Sequence, residues 1–172
     1  MPLYEYNGKR PTIGAGTWIA PNAHVVGDVS IGANSYVGFG AVIRGDFGTV
    51  VIGDETAVEE GVVIHTSTSC VIGSGVILGH LAMVHGARID DATVIGMQAT
   101  LCNESVVGSW TIVAEQSLVV KGQTVPGGAI VGGSPAREIG ALTERHRAYI
   151  VHARRVYAEL ARGFAEGLRV VG

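Results

Sequence analysis

An aliphatic residue recurs at six-residue spacing along most of this chain, twenty times between Ile13 and Val131. A helix repeats every 3.6 residues and a strand every two, so a sustained period of six belongs to neither alone. It belongs to a solenoid in which each hexapeptide forms one short strand and one turn, with the aliphatic side chain pointing to the axis. Three hexapeptides close one triangular coil, so every third member of the series falls on the same face. The first face then carries Val25, Ile43, Ile64, Val84, Leu101 and Val119. The second carries Val37, Val58, Leu78, Ile95, Val113 and Val131, and the third Ile31, Ile52, Ile72, Ile89, Val107 and Val125.

Four positions after the aliphatic residue a small one recurs, among them Thr17, Ala23, Ser35, Ala41, Thr56, Ala82, Thr93 and Ala99. These positions are the expected corners, where bulk cannot fit. The series slips three times: nine residues separate Ile43 from Ile52, eight separate Ile64 from Ile72, and five separate Val84 from Ile89. Every slip leads into the third face.

After Val131 the repeat stops at Gly132-Gly133-Ser134-Pro135, a turn signal that ends the coil. From Thr143 to Leu168 the pattern predicts a helix with Tyr149, Ala153, Val156, Tyr157, Leu160 and Phe164 on one stripe. Thr143 is its expected N-cap, with no acid at the capping-box position. The expected organisation is residues 1–136 as the solenoid and 137–172 as a C-terminal α-helix packed on it. Trp18 and Trp110 are expected to pack, and Tyr36 and Phe39 are candidates for an interface.

Composition agrees with this fold. The chain has 172 residues, 26 glycines and only three phenylalanines, which suits tight turns around a narrow aliphatic core. A net charge of −3 leaves no basic footprint for nucleic acid. No apolar run is long enough to span a bilayer, and the first ten residues lack the apolar core of a signal peptide. Cys70 and Cys102 stand alone, unlike the cysteines of a secreted disulfide scaffold. The expectation is a cytoplasmic protein without membrane or nucleic-acid partners.

In this register three histidines acquire positions. His65 and His85 each follow an aliphatic residue of the first face and stack one coil apart, about 4.8 Å at strand spacing. Arg44 holds the matching position one coil earlier. His80 belongs to the second face, with Glu60 at its matching position. A homotrimer that sets the first face of one chain against the second face of the next brings His80 beside a neighbour's His65 and His85. Three imidazoles with an open fourth position make a catalytic zinc site. Iron, cobalt and nickel also accept imidazole ligands. His24, His146 and His152 fall outside this arrangement and read as surface or hydrogen-bonded residues. Cys102, one coil beyond His85, reads as a wall residue.

The order Arg44-Gly45-Asp46, Ile52-Gly53-Asp54-Glu55-Thr56, Glu59-Glu60, Ile64-His65 and Gly79-His80 through Val84-His85-Gly86 resembles the gamma-class carbonic anhydrase family of hexapeptide-repeat proteins. The phrase Tyr36-Val37-Gly38 through Arg44-Gly45-Asp46-Phe47-Gly48 also resembles its PaaY- and CaiE-like subgroup of phenylacetate and carnitine metabolism. The resemblance implies an all-β solenoid, specifically a left-handed parallel β-helix with a C-terminal α-helix. It implies a homotrimer with His65, His80 and His85 as zinc ligands, two from one subunit and His80 from its neighbour. The implied reaction is reversible hydration of carbon dioxide to bicarbonate, by lowering the pKa of bound water to about 7. Glu59 would orient or relay a proton, with Arg44, Asp46 and Glu60 fixing the interface.

Two departures from the family bear on activity. Glu59-Glu60 stands where the family has Gln-Asp, and an ionised glutamate accepts hydrogen bonds but does not donate them. Phe47 and Thr68 stand where the most active members carry an acidic proton-shuttling loop. The alternatives are therefore an acyl-CoA thioester hydrolase or related acyl-transfer enzyme, and a non-catalytic trimer stabilised by its metal.

Overall fold

The computed structural model of the protein describes residues 3–172. It is a left-handed parallel β-helix closed by one α-helix. The register of the strands reproduces the three faces read from the sequence. On the first, Val25 pairs with Ile43, Ile43 with Ile64, Ile64 with Val84, Val84 with Leu101 and Leu101 with Val119. The second runs Ile19, Val37, Val58, Leu78, Ile95, Val113 and Val131. The third runs Ile13, Ile31, Ile52, Ile72, Ile89, Val107 and Val125. Ile43, Ile64, Val84 and Leu101 have no exposed surface, so the axis of the solenoid is its core.

Most corners have the same two-part construction, the slipped corners between the first and third faces being among the exceptions. Three positions after the inward aliphatic residue the backbone enters the left-handed region, as at Asn34 (φ 54°), Gly61 (φ 69°), Leu81 (φ 61°) and Gln98 (φ 60°). That conformation turns the chain sharply and is least costly for glycine and asparagine. The next residue points inward at the vertex and is small and buried: Ala41, Thr56, Ala82, Thr93 and Ala99 are at most 1% exposed. Most hydroxyls at these vertices find a partner, Ser117 Oγ being the buried exception. Thr17 Oγ1 donates to the Gly32 carbonyl (2.7 Å), Thr56 to Gly73 (2.9 Å), Thr93 to Gly108 (3.0 Å) and Thr111 to Pro126 (3.1 Å). Each bond ties one coil to the next and satisfies a polar group that burial would otherwise leave costly.

The first two slips extend the corner between the first and third faces, and the third shortens it by one residue. Val42–Ile52 is one continuous strand of 11 residues that bends around this corner, and its register with His24–Ile31 shifts between Gly27 and Val29. The added residues form a ridge with Phe47 at its tip, 74% exposed.

Arg137–Ala141 returns as a strand antiparallel to Ala129–Gly132. The helix, α1 (Glu144–Gly167), follows with Thr143 as its N-cap. The capping box is completed by a histidine ring instead of an acid: the Thr143 N–H donates to His146 Nδ1 (3.1 Å), and the His146 N–H donates to Thr143 Oγ1. α1 lies along the second face. Phe164 packs on Trp18 (ring centroids 4.8 Å apart) and Tyr157 on Tyr36 (5.5 Å). Four residues of the expected stripe, Ala153, Tyr157, Leu160 and Phe164, pack on this face, and the stripe differs only at its edges. Ile150 and Ala161 are buried, whereas Tyr149 and Val156 are 62% and 44% exposed. The wall beneath is a flat row of Trp18, Tyr36, Ala57, Ile77 and Val94, and it accepts a narrower strip of helix than the composition suggested. Tyr36, a candidate for the interface, is instead 2% exposed beneath α1. Among the described residues no helix is long and apolar enough to cross a membrane.

Candidate metal centre

Two clusters of polar side chains sit on the outside of the solenoid. The first follows from register. Arg44 pairs with His65, and His65 with His85, each one position past an inward aliphatic residue. Side chains alternate along a strand, so residues next to the buried aliphatics point outward and form a column. The slip after Ile43 then folds Asp46 back against this column.

His65 Nδ1 lies 3.1 Å from His85 Nε2. The far nitrogen of each ring is already engaged: His65 Nε2 lies 3.0 Å from Asp46 Oδ1, and His85 Nδ1 lies 2.6 Å from Asn103 Oδ1. Each acceptor draws the single proton of a neutral imidazole to the far side. Two bare lone pairs then face each other, an arrangement that needs a proton or a cation between them. Two imidazoles on one tetrahedral zinc hold their nitrogens about 3.3 Å apart, from Zn–N bonds of about 2.05 Å. The pair therefore fits a metal, and its outer partners match the carboxylate–histidine arrangement that orients metal ligands.

Asp46 is itself held by Arg44, whose Nη2 and Nε donate to Oδ2 at 2.6 and 3.1 Å. Burial opposes ionisation of Asp46. The hydrogen bonds from Arg44, from its own backbone and from His65 outweigh burial and hold the carboxyl below its ordinary range. Gly45 allows the close turn between these two residues: a Cβ there would collide with the Asp28 carbonyl and lie 3.0 Å from that of Gly48.

The second cluster surrounds His80, at the corner between the second and first faces. Two carboxylates clamp one imidazole. Glu59 Oε2 lies 3.0 Å from His80 Nε2 and also accepts the His80 backbone N–H at 3.0 Å. Glu60 Oε2 lies 2.9 Å from Nδ1. Glu59 is 5% exposed, whereas the His80 side chain is 45% exposed. Tyr36 donates to Glu60 Oε1 at 2.5 Å, and Tyr157 of α1 lies beside Glu59. Burial first, and then these carboxylates, push both phenols well above their ordinary range, so both remain donors. Beside His80 a cleft of about 210 Å³ opens between α1 and the second face, bordered by Ile77, Val94, Met97, Glu115 and Tyr149.

One chain thus brings together Arg44, Asp46, His65 and His85, and separately Glu59, Glu60 and His80. Among the described residues no three or more His, Cys, Asp or Glu side chains are gathered to hold a metal within one chain. Asn103, Tyr36 and Tyr157 belong to these clusters and were not read from the sequence as site residues. Asn103 stands two residues past Leu101, one coil beyond His85 and off the register of the histidine column. Cys102 faces the same wall without a hydrogen bond to either histidine. The remaining histidines have other work or none: Tyr4 bonds and stacks on His24, His146 caps α1, and His152 is exposed.

Comparison with known proteins follows the same lines. A family model described as bacterial transferase hexapeptide (six repeats) matches residues 10–45. The mitochondrial gamma carbonic anhydrase 1 of Arabidopsis thaliana is 36% identical over 165 residues, covering 91% of this chain and 60% of that protein. The carnitine operon protein CaiE of Escherichia coli is 30% identical over 141 residues, covering 81% of this chain and 72% of CaiE. A hexapeptide transferase family protein from Anaplasma phagocytophilum superposes with a TM-score of 0.92 at 31% identity, covering 95% of this chain and 98% of that one. Likeness of this extent, in sequence and in coil-by-coil structure, means that the chain belongs to the gamma carbonic anhydrase-like hexapeptide-repeat family, which includes CaiE.

Proposed function

We propose that the protein is a metal-dependent enzyme that assembles as a homotrimer, with His65 and His85 of one subunit and His80 of its neighbour holding zinc at each interface. The observation that carries this reading is the 3.1 Å approach of His65 Nδ1 to His85 Nε2, with both far nitrogens already engaged. The 45% exposure of the His80 side chain supports it, because this ring is within reach of another subunit. A divalent metal there supplies Lewis-acid activation of water near neutral pH, the chemistry that hydration of carbon dioxide needs.

The residues of the chain divide the remaining tasks. Asp46 and Asn103 hold the His65 and His85 rings and keep their protons on the far nitrogens, and Arg44 holds Asp46. To serve as a ligand, His80 releases one of its two carboxylates. Glu59 keeps its place when that happens, because the His80 backbone N–H still anchors it. It is then a buried acceptor free to take a proton at the site and pass it outward.

A second reading, hydrolysis of an acyl thioester, is favoured by the cleft beside His80. Its volume of about 210 Å³ exceeds what carbon dioxide fills, and Ile77, Val94 and Met97 offer apolar contact to an acyl chain. Metal analysis of the purified protein with its mass in solution tests the shared premise. Parallel assays of carbon dioxide hydration and thioester hydrolysis then separate the two reactions. A metal-replete trimer inert in both assays would leave only a structural role for the metal. A monomer without divalent metal would overturn the reading altogether.

A further inference from the structure

α1 has a second flank, along the corner between the third and second faces, and its arginines there fall into two pairs. Arg147 and Arg154, seven residues apart, anchor the helix. Arg147 lies over the Trp110 ring at 4.7 Å, and Arg154 donates to Glu55 Oε2 at 2.7 Å. The Arg154 guanidinium also lies against Gly75, where a Cβ would stand 2.5 Å from its Nε. Arg155 and Arg162, also seven residues apart and one position on, have no anchoring role: neither forms an ion pair among the described residues. Both line a groove of about 510 Å³, together with Asn34, Glu55, Arg154 and Glu159.

Charge in this groove runs against that of the molecule. Arg154 and Glu55 neutralise each other, leaving Arg155 and Arg162 against Glu159, a local excess of one positive charge on a chain of net charge −3. Two guanidiniums without partners, beside the Asn34 amide, are donors arranged for phosphate oxygens, which arginine binds through paired N–H groups. Seven residues of helix separate them by about 10.5 Å along its axis. A diphosphate is spanned by the two guanidiniums with less convergence of the side chains than a single phosphate demands. The volume is also within the range of small-molecule sites and larger than one phosphate needs. No aromatic ring lines the groove, so nothing there stacks on a nucleobase.

We propose that this groove binds a phosphorylated small molecule through a diphosphate or longer phosphate chain. Recognition is by Arg155 and Arg162, and the site is independent of the metal centre.

Isothermal titration of the full-length protein with pyrophosphate, ADP, inorganic phosphate and adenosine tests this. Pyrophosphate and ADP should bind with similar affinity, at least about tenfold tighter than phosphate, and adenosine should not bind. Arg155→Ala with Arg162→Ala should abolish binding, while Arg88→Ala, on another face, should leave it unchanged. Glu159→Gln should tighten binding about two- to fivefold by removing the opposing charge. This gain does not depend on how well a weakened variant folds. Adenosine binding as tightly as ADP, retention of pyrophosphate binding by the double variant, or no effect of Glu159→Gln would each overturn the proposal.

Discussion

His65 Nδ1 and His85 Nε2 face each other at 3.1 Å across one coil of the solenoid, while Asp46 and Asn103 engage the far nitrogens of the two rings. In the proposed reading that pair is the half of a metal site that one chain supplies. It also allows a test of where the other half comes from. His80→Ala and His85→Ala are each expected to lack activity as pure trimers. When the two are unfolded together and reassembled at equal amounts, about a quarter of interfaces receive His65 and His85 from one variant and His80 from the other. Activity and metal content should recover to about that fraction. No recovery, from trimers shown to have mixed, would mean that all three ligands act within one subunit.

Gly45 separates the two residues that support His65. Gly45→Ala forces the backbone away from the Asp28 carbonyl and moves Asp46 with it. Displacing a carboxylate that orients a ligand costs about 10- to 100-fold in metal affinity. The loss should exceed that of Gly163→Ala, where a Cβ meets nothing within 4 Å. Competition with a zinc chelator measures both.

Glu59 accepts the His80 backbone N–H from a buried position, so truncation strands a donor. Glu59→Ala should destabilise the fold by about 1–3 kcal/mol. Glu59→Gln retains an acceptor oxygen and should cost less than half as much. Thermal unfolding of the two variants side by side decides this, and equal losses would show that the acceptor is not what matters.

Cys70 has no exposed surface, and burial raises its thiol to about 11 from an ordinary value near 9. A group with a raised folded pKa contributes stability that is fully present below the unfolded value and lost as pH climbs to the folded one. Stability should therefore fall between pH 9 and pH 11, by about 2–3 kcal/mol for this group alone. The unfolding midpoint in urea should drop less steeply over that range in Cys70→Ala than in the parent. Identical slopes would remove Cys70 as the cause.

Phe164 links the C-terminal helix to the second face through Trp18. Phe164→Ala should cost about 2–4 kcal/mol, somewhat less than a fully buried phenylalanine. The helix should also loosen from Tyr36. Amide exchange would accelerate in α1 before it does so in the coils.

The three faces, the corner residues and the N-cap of α1 were legible because each depends on one side chain and its distance along the chain. Ile43, Ile64 and Val84 share a face since the coil has three strands, and counting is enough to find them. The pairing of Arg44 with His65 and His85 followed from the same count. Asn103 was not found this way. Its contact with His85 depends on a side chain reaching across a coil from a turn, and its two-residue offset from Leu101 carries no periodic signal. The edges of the α1 stripe were not settled by the count for a related reason: Tyr149 and Val156 satisfy helical spacing as well as Ile150 and Ala161 do. Only the shape of the wall under the helix chooses between them.

From sequence alone the period of six determined a three-sided solenoid, because an inward aliphatic residue and a small vertex residue in every hexapeptide are both buried in that shape; its left hand was implied only by the family resemblance. It also determined which residues share a column. Tertiary structure decided what the columns do. Whether His65 presents a lone pair or a proton to His85 depends on Asp46 and Asn103 arriving from other turns, and His80 is held by Glu59 and Glu60 because the chain bends sharply at that corner. Which nitrogen carries the proton is set by hydrogen bonds between residues about twenty positions apart in the chain, and these exist only once the coils are stacked.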